Sequence, residues 1–142
     1  MNATDSGFEI LEHTADLKLH AWGGSLDALF RSAAEGLYHV IGELVLTGQA
    51  ETVSIEIQAP DATDLFHDWL AELLFRFDSA CVRIEPDRFD RIDDRGLIVR
   101  AQQRWIDPAR SQFNAEVKAV TYHGLAVEHR EGRYEATVIL DL

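Results

Sequence analysis

The fold is decided by a stretch near the start of the chain, Glu12-His13-Thr14-Ala15-Asp16-Leu17-Lys18-Leu19-His20. Its first half is a short polar loop. From Leu17 onward apolar and polar residues alternate, and this period of two predicts a strand whose polar face starts at Asp16. The chain closes on a second alternating segment that ends Ile139-Leu140-Asp141-Leu142. We expect the fold to bring Asp16 and Asp141 together at one end of a sheet.

Two segments have helical spacing. Residues 26–41 place apolar side chains on one face after Ser25, a favourable N-cap, and Gly42 suits the C-terminal end. A second helix is predicted after Pro60, with Asp61 or Asp64 as its cap. Gly36 lies inside the first helix, where glycine costs about 1 kcal/mol relative to alanine, so we expect another element to pack closely against it.

Most other segments alternate with the period of a strand. They are residues 8–11, 51–59, 82–84, 97–101, 115–123, 125–128 and 134–141, with Pro86 expected to end the strand at 82–84. The turn residues Glu131-Gly132-Arg133 predict that the last two strands form an antiparallel hairpin. This order predicts an α+β fold: a mostly antiparallel β-sheet with two amphipathic helices packed on one face, in a single domain over residues 1–142.

Charge and composition limit the classes of function. The net charge is −12, from 13 Lys and Arg against 25 Asp and Glu, so direct nucleic-acid binding over a broad face is not expected, and basic proteins or metal cations are better partners. No apolar run approaches the roughly 20 residues of a membrane helix, and the first residues lack the features of a signal peptide. Cys81 is the single cysteine and is expected to be a buried structural thiol, which favours a cytoplasmic location.

The two acids at the strand ends are candidate metal ligands. Carboxylates suit hard ions such as calcium, magnesium and manganese, and Leu142 adds the terminal carboxylate and a carbonyl beside Asp141. The alternative is that Asp16 caps a loop and Asp141 is an exposed terminal acid.

Three further residues are weaker candidates. Lys118 shares a predicted strand face with Val120 and either extends into solvent from a half-wet sheet or contacts the acids or a partner. His13 and His123 lie beside predicted strand ends. The chain contains no nucleophile elbow, phosphate-binding loop, dinucleotide fingerprint or zinc-ligand spacing, so no catalytic residue is assigned.

Five segments, in order along almost the whole chain, together resemble the archease family. They are Glu12-His13-Thr14-Ala15-Asp16, the helix at 26–41 with Ala33-Ala34-Glu35-Gly36-Leu37, Asp68-Trp69-Leu70-Ala71-Glu72-Leu73-Leu74, Val117-Lys118-Ala119-Val120-Thr121-Tyr122-His123-Gly124-Leu125, and Val138-Ile139-Leu140-Asp141-Leu142. Two positions depart from the family pattern: Ala71 stands where asparagine is usual, and Leu142 stands where isoleucine is common.

The resemblance implies an accessory activator, not an enzyme. Archeases assist the RtcB-type RNA ligase, which joins RNA ends in tRNA splicing or RNA repair with GTP and manganese. They promote guanylylation and multiple turnover of the ligase and can broaden its nucleotide use. The family's divalent ion, assigned as calcium, would be held here by Asp16, Asp141 and Leu142. Lys118 matches a family lysine that is expected to matter for activation.

Two other functions stay open from the residues alone. One is a small phosphohydrolase that depends on a divalent metal. The other is an acidic chaperone or adaptor in which the metal is structural.

Overall fold

The computed structural model describes residues 5–12 and 16–142. Over these residues the chain forms two α-helices and ten β-strands. The helices are α1 (Leu26–Ile41) and α2 (Ala62–Ala80). The strands are β1 (Gly7–Glu12), β2 (Asp16–Gly23), β3 (Gly42–Glu43), β4 (Leu46–Gln58), β5 (Val82–Ile92), β6 (Gly96–Ile106), β7 (Gln112–Phe113), β8 (Ala119–Val120), β9 (Glu128–Arg130) and β10 (Arg133–Asp141).

All strand pairs in the described residues are antiparallel, and they form three sheets. The largest sheet has the order β1-β2-β10-β8, and β9 pairs with β10 beside β8. A second sheet has the order β4-β6-β5, and the third is the short pair β3-β7. The predicted α+β class, mostly antiparallel with two helices, is confirmed. The strands that the sequence assigned to one sheet divide among these three.

The helices begin where the sequence predicts. The Ser25 hydroxyl accepts a hydrogen bond from the Ala28 N–H, and the Asp61 carboxylate accepts one from the Asp64 N–H, so Asp61 is the cap of α2. Helix α1 lies against β1 and β2 and also contacts β5, while α2 contacts β4, β5 and β8. Each helix therefore buries apolar surface against both larger sheets, around a core that includes Phe30, Phe66 and Trp69.

At Gly36 helix α1 packs closely against the largest sheet. A Cβ atom at this position would overlap the Leu19 side chain on β2 and would lie 3.1 Å from Cγ of Phe8 on β1. The expected close packing against this glycine is confirmed.

The predicted end of a strand at Pro86 is wrong. Pro86 does not end a strand: β5 continues through it to Ile92, with register shifts after Pro86 and after Phe89. Proline is tolerated there because β5 is an edge strand and its pairing with β6 is already irregular.

The predicted strands at 115–123 and 125–128 are also wrong, since only β8 at 119–120 and β9 from Glu128 pair with the sheet. Helix α2 supplies other partners for this segment: the Val127 N–H donates to the Thr63 hydroxyl, and Tyr122 stacks on His67. Between them the chain turns at Gly124, whose φ of 62° is in the left-handed region. The hairpin of β9 and β10 is confirmed.

Neither helix of the described chain is long and apolar enough to cross a bilayer.

Candidate metal and partner site

Asp16 and Asp141 lie directly opposite each other. Strands β2 and β10 pair antiparallel, so that Asp16 is the partner of Asp141, Leu17 of Leu140, and Lys18 of Ile139. Directly opposed residues in such a pair have Cβ atoms about 5 Å apart. The structure thus places the two predicted acids within reach of one small ion, although 125 positions separate them in the sequence.

The environment of these two acids is unusual for like charges. One carboxylate oxygen of Asp16, Oδ1, is buried and has no hydrogen-bond partner among the described residues, whereas the Asp141 side chain is exposed. No ion pair joins either carboxylate to another described residue. Opposed like charges destabilise a sheet, and a buried oxygen without a partner costs further free energy. A cation between the two acids would relieve both costs.

The end of β10 is held firmly. On one side it pairs with β2, and on the other the Lys118 N–H donates to the Asp141 carbonyl oxygen at 2.8 Å. Both the N–H and the hydroxyl of Thr121 donate to the Ile139 carbonyl, at 3.1 and 2.9 Å. Leu142 is half-buried and packs against the core, so the last residue has a defined place beside Asp141.

The donor set here consists of oxygen atoms. The carboxylates of Asp16 and Asp141 suit calcium, magnesium or manganese better than softer metals. No group of three or more His, Cys, Asp or Glu side chains with metal-ligand spacing occurs in residues 5–12 and 16–142. Any ion at this site would therefore need further oxygen ligands, such as backbone carbonyls or water.

The other predicted residues lie at different distances from this centre. Lys118 is exposed immediately before β8, and its backbone contacts Asp141 directly. His123 is exposed in the turn after β8, where its N–H donates to the Thr121 hydroxyl at 3.4 Å. His13 lies outside the described residues. Of Lys118 and His123, the two that the structure describes, Lys118 is the one bonded directly to Asp141.

A cluster that the sequence analysis missed supports β8 from the α2 side. Nε2 of His67 lies 2.8 Å from the Val120 carbonyl oxygen, and Nδ1 lies 3.0 Å from an Asp68 carboxylate oxygen. Tyr122 stacks on the His67 ring with centroids 3.7 Å apart. Lost hydration and the carboxylates of Asp68 and Asp64 raise the pKa of the Tyr122 hydroxyl. We call these residues, His67, Asp68 and Tyr122, the His67 cluster.

The His67 cluster ties α2 to the strand that pairs with β10. Val120 is the partner of Leu140, and Ala119 is the partner of Asp141. His67 and Val120 are 53 residues apart in the sequence. A histidine on a helix gives no signal of such a contact, so sequence reasoning could not have found it.

Comparison with known proteins decides the family. Residues 8–142 match the model of the Archease protein family (MTH1598/TM1083). The chain belongs to the archease family.

Relatives match over nearly their full lengths. The chain is 36% identical to Protein archease of Methanopyrus kandleri over 138 residues, which cover 95% of this chain and 99% of the relative. It is 28% identical to Protein archease-like of Drosophila melanogaster, with 95% and 90% covered. The resemblance to archeases is therefore confirmed.

Two solved structures share the fold. Protein 1598 of Methanobacterium thermoautotrophicum has a TM-score of 0.76 at 34% identity, with 96% of this chain and 99% of that chain covered. A Thermotoga maritima protein, described as an archease and possible chaperone, has a TM-score of 0.67 at 24% identity, with 94% and 96% covered. The second comparison supports the fold alone.

Proposed function

We propose that this archease is an activator of an RtcB-type RNA ligase and not an enzyme in its own right. It promotes guanylylation and multiple turnover of the ligase in tRNA splicing or RNA repair, and it broadens the nucleotides that the ligase can use. The proposed location is the cytoplasm, in line with the single cysteine.

One observation carries the proposal: Asp16 and Asp141 lie opposite each other, and a buried Asp16 oxygen has no hydrogen-bond partner in the part of the chain that the structure describes. Such a pair is destabilising unless a cation joins it. Because the pair lies at the end of the sheet with Asp141 exposed, a protein partner can reach it. The net charge of −12 favours docking on a basic surface, such as one that binds RNA or nucleotide phosphates.

Each residue of this end has a defined part in the proposal. Asp16, Asp141 and the Leu142 carboxylate hold a divalent cation, with calcium first and magnesium or manganese as alternatives. When bound, the cation supplies positive charge that can neutralise phosphate oxygens during nucleotidyl transfer. Lys118, exposed beside Asp141, contacts the ligase or its nucleotide.

The test is multiple-turnover RNA ligation by the ligase, with GTP and manganese, in the presence of this protein. We expect Asp16→Ala and Asp141→Ala to lose the stimulation while a first turnover by pre-guanylylated ligase is unchanged. Asp94→Ala, which changes an exposed acid in the turn between β5 and β6, is the matched control and should stimulate fully. Full stimulation by both folded site variants would reject the role proposed for these acids.

A chaperone or adaptor role is the second candidate, favoured by the acidic surface. In that case the cation would only join β2 to β10, and metal-stripped protein would still bind the ligase with unchanged affinity. Hydrolysis of phosphate esters by this chain alone, abolished by a chelator, would instead favour a metal-dependent phosphohydrolase.

A further inference from the structure

Strand β4 is a long edge strand in a different sheet from the paired acids. It spans Leu46–Gln58 and pairs only with β6 among the described residues. Most of its residues are exposed, while Ile55 is buried in the core. The strand therefore presents, on the side away from β6, a backbone edge that no described strand pairs with.

The direction of the free backbone groups follows from the pairing. The Ala59 N–H, just after the strand, donates to the Arg95 carbonyl on the β6 side at 3.0 Å. Backbone groups alternate in direction along an antiparallel strand. The free edge is therefore formed by the N–H and C=O groups of Thr52, Ser54, Glu56 and Gln58.

This edge lacks a common protection against pairing. Natural edge strands often carry lysine or proline, or are very short. Strand β4 has neither residue type over its 13 positions; its only charged residues are Glu51 and Glu56. A bulge interrupts its pairing between Thr47 and Glu51, but the segment from Glu51 to Gln58 stays in continuous register with β6.

Negative charge borders the same edge. A shallow groove of about 460 Å³ lies between β4 and α2, lined by Glu56, Ile57, Gln58, Asp68, Ala71 and Glu72. Arg76 pairs with Glu72 at 2.7 Å and His67 contacts Asp68, whereas no ion pair with a described residue holds Glu56. Arg91, two strands away from Glu56, is already paired with Asp93. A segment lying along the edge would meet three carboxylates, of which only that of Glu56 has no ion pair with a described residue.

We propose that the free edge of β4 binds an extended segment of another protein that is rich in lysine or arginine, by strand addition. Hydrogen bonds to Thr52, Ser54, Glu56 and Gln58 would fix its backbone, and its basic side chains would face the acids of β4 and α2. A second copy of this chain fits less well, because it would bring the same net charge of −12 to an edge that carboxylates already border. The proposal is independent of ligase activation.

The probe is a short peptide that alternates lysine and valine, with a glutamate–valine peptide of equal length as its control. We expect the basic peptide to shift and protect from exchange the amides of residues 52, 54, 56 and 58, and the acidic peptide to have no effect. Binding that maps elsewhere on the acidic surface, or no binding at all, would overturn the proposal. So would protection of these amides that rises with protein concentration without peptide, which would mean self-pairing.

Ser54→Pro sharpens the test. Proline removes an outward N–H without removing a bond to β6, so the variant should fold and should bind the basic peptide at least about tenfold more weakly. The matched control is Ser54→Ala, which keeps the N–H and should bind like the unchanged chain. Equal binding by a folded Ser54→Pro variant would contradict strand addition. If that variant does not fold, the proposal is tested by the amide protection that the basic peptide gives in the unchanged chain.

Discussion

Gly36 shows how a single residue sets the distance between a helix and a sheet. Its Cα faces Leu19 and Phe8, and a Cβ would overlap the Leu19 side chain, which is fully buried. We expect Gly36→Ala to destabilise the protein by about 1–2 kcal/mol, because overpacking of about 1–3 kcal/mol outweighs the gain of up to about 1 kcal/mol in helix propensity.

Urea unfolding measures this change. Glu35→Ala, at the exposed neighbouring position, is the control and should alter the unfolding free energy by no more than about 0.5 kcal/mol. A Gly36→Ala variant more stable than the unchanged chain would mean that α1 can move away from β2 without cost.

At the scale of single residues, the sequence was informative where the cause is local. Ser25 and Asp61 cap helices through contacts three residues away, and such contacts follow from residue type and position. Close packing at Gly36 could be predicted because glycine destabilises a helix interior, and the absence of a side chain there suggests that another element lies close. His67 was not interpretable, because its partners Val120 and Tyr122 come from a distant segment whose path the sequence does not determine.

Among the secondary-structure elements, β5 is an edge strand that α1 protects. Nε of Arg31 bonds to Asp27, while its terminal nitrogens donate to the Pro86 and Asp87 carbonyls at 2.8 Å each. The Ile84 N–H donates to the Tyr38 hydroxyl at 2.9 Å. Two side chains of the helix thus occupy backbone groups that would otherwise be open to another strand.

Tyr38→Phe tests this protection. Burial raises the pKa of Tyr38 to about 12, so the hydroxyl stays neutral at ordinary pH and acts only through its hydrogen bond. Its removal leaves the buried Ile84 N–H without a partner, at a cost of about 1–3 kcal/mol. We expect that loss in urea unfolding and faster hydrogen exchange at Ile84. Tyr134→Phe is the control, and equal effects of both changes would contradict the assigned role.

In the hairpin of β9 and β10, the ion pairs of Glu135 predict how the stability of the protein depends on pH. A hydrogen bond from Arg130, at 2.6 Å, lowers the pKa of Glu135, and the charges of Arg130, Arg133 and His20 act in the same direction. A lowered carboxyl pKa in the folded state means stability that is present above the ordinary value of 4.5 and is lost as pH falls through the lowered value.

We therefore expect Glu135→Gln to be less stable than the unchanged chain at neutral pH, by a small amount because the pair is near the surface. The difference should shrink as pH falls below about 4.5. Unfolding by urea at a series of pH values measures it. A difference between the two proteins that stays constant with pH would show that the ion pairs of Glu135 contribute nothing.

Secondary-structure elements were predictable where strands pair across a short turn or where a periodic pattern of apolar residues extends over many positions. Helix α1 and the hairpin of β9 and β10 follow from spacing and turn residues. The segment at 115–128 alternates like a strand, yet it contributes only two residues at β8 and the start of β9, because α2 takes several of its contacts. At Pro86 the error was the reverse: the sequence predicted the end of a strand, but β5 continues because an edge strand tolerates proline.

At the scale of the whole molecule, the main feature is that the start and the end of the chain meet in the largest sheet. The sequence suggested this from two aspartates at strand ends, and strand register places them opposite each other. The register itself could not be derived from the sequence, because it depends on how β10 enters the sheet between β2 and β8. The division of the strands into three sheets could not be predicted either, because it also depends on pairing between strands that are distant in the sequence.

A shared cation would link metal binding to global stability. An ion that binds only the folded chain raises the unfolding free energy by RT ln(1 + [L]/Kd), about 2.7 kcal/mol at a hundredfold excess over Kd. We expect calcium to raise the melting temperature of metal-stripped protein and a chelator to reverse the rise. Asp16→Asn should melt at or above the temperature of the stripped protein and should not respond to calcium, since it removes one of two opposed charges. A calcium response unchanged in this variant would place the ion elsewhere.

Calorimetric titration of metal-stripped protein with calcium, magnesium and manganese tests most directly whether the two aspartates share an ion. We expect one ion per chain, binding at least about tenfold weaker in Asp16→Asn and in Asp141→Asn, and unchanged binding in Asp94→Asn. No binding of any of the three ions, or equal affinity in all four proteins, would contradict a cation held between the two ends of the chain.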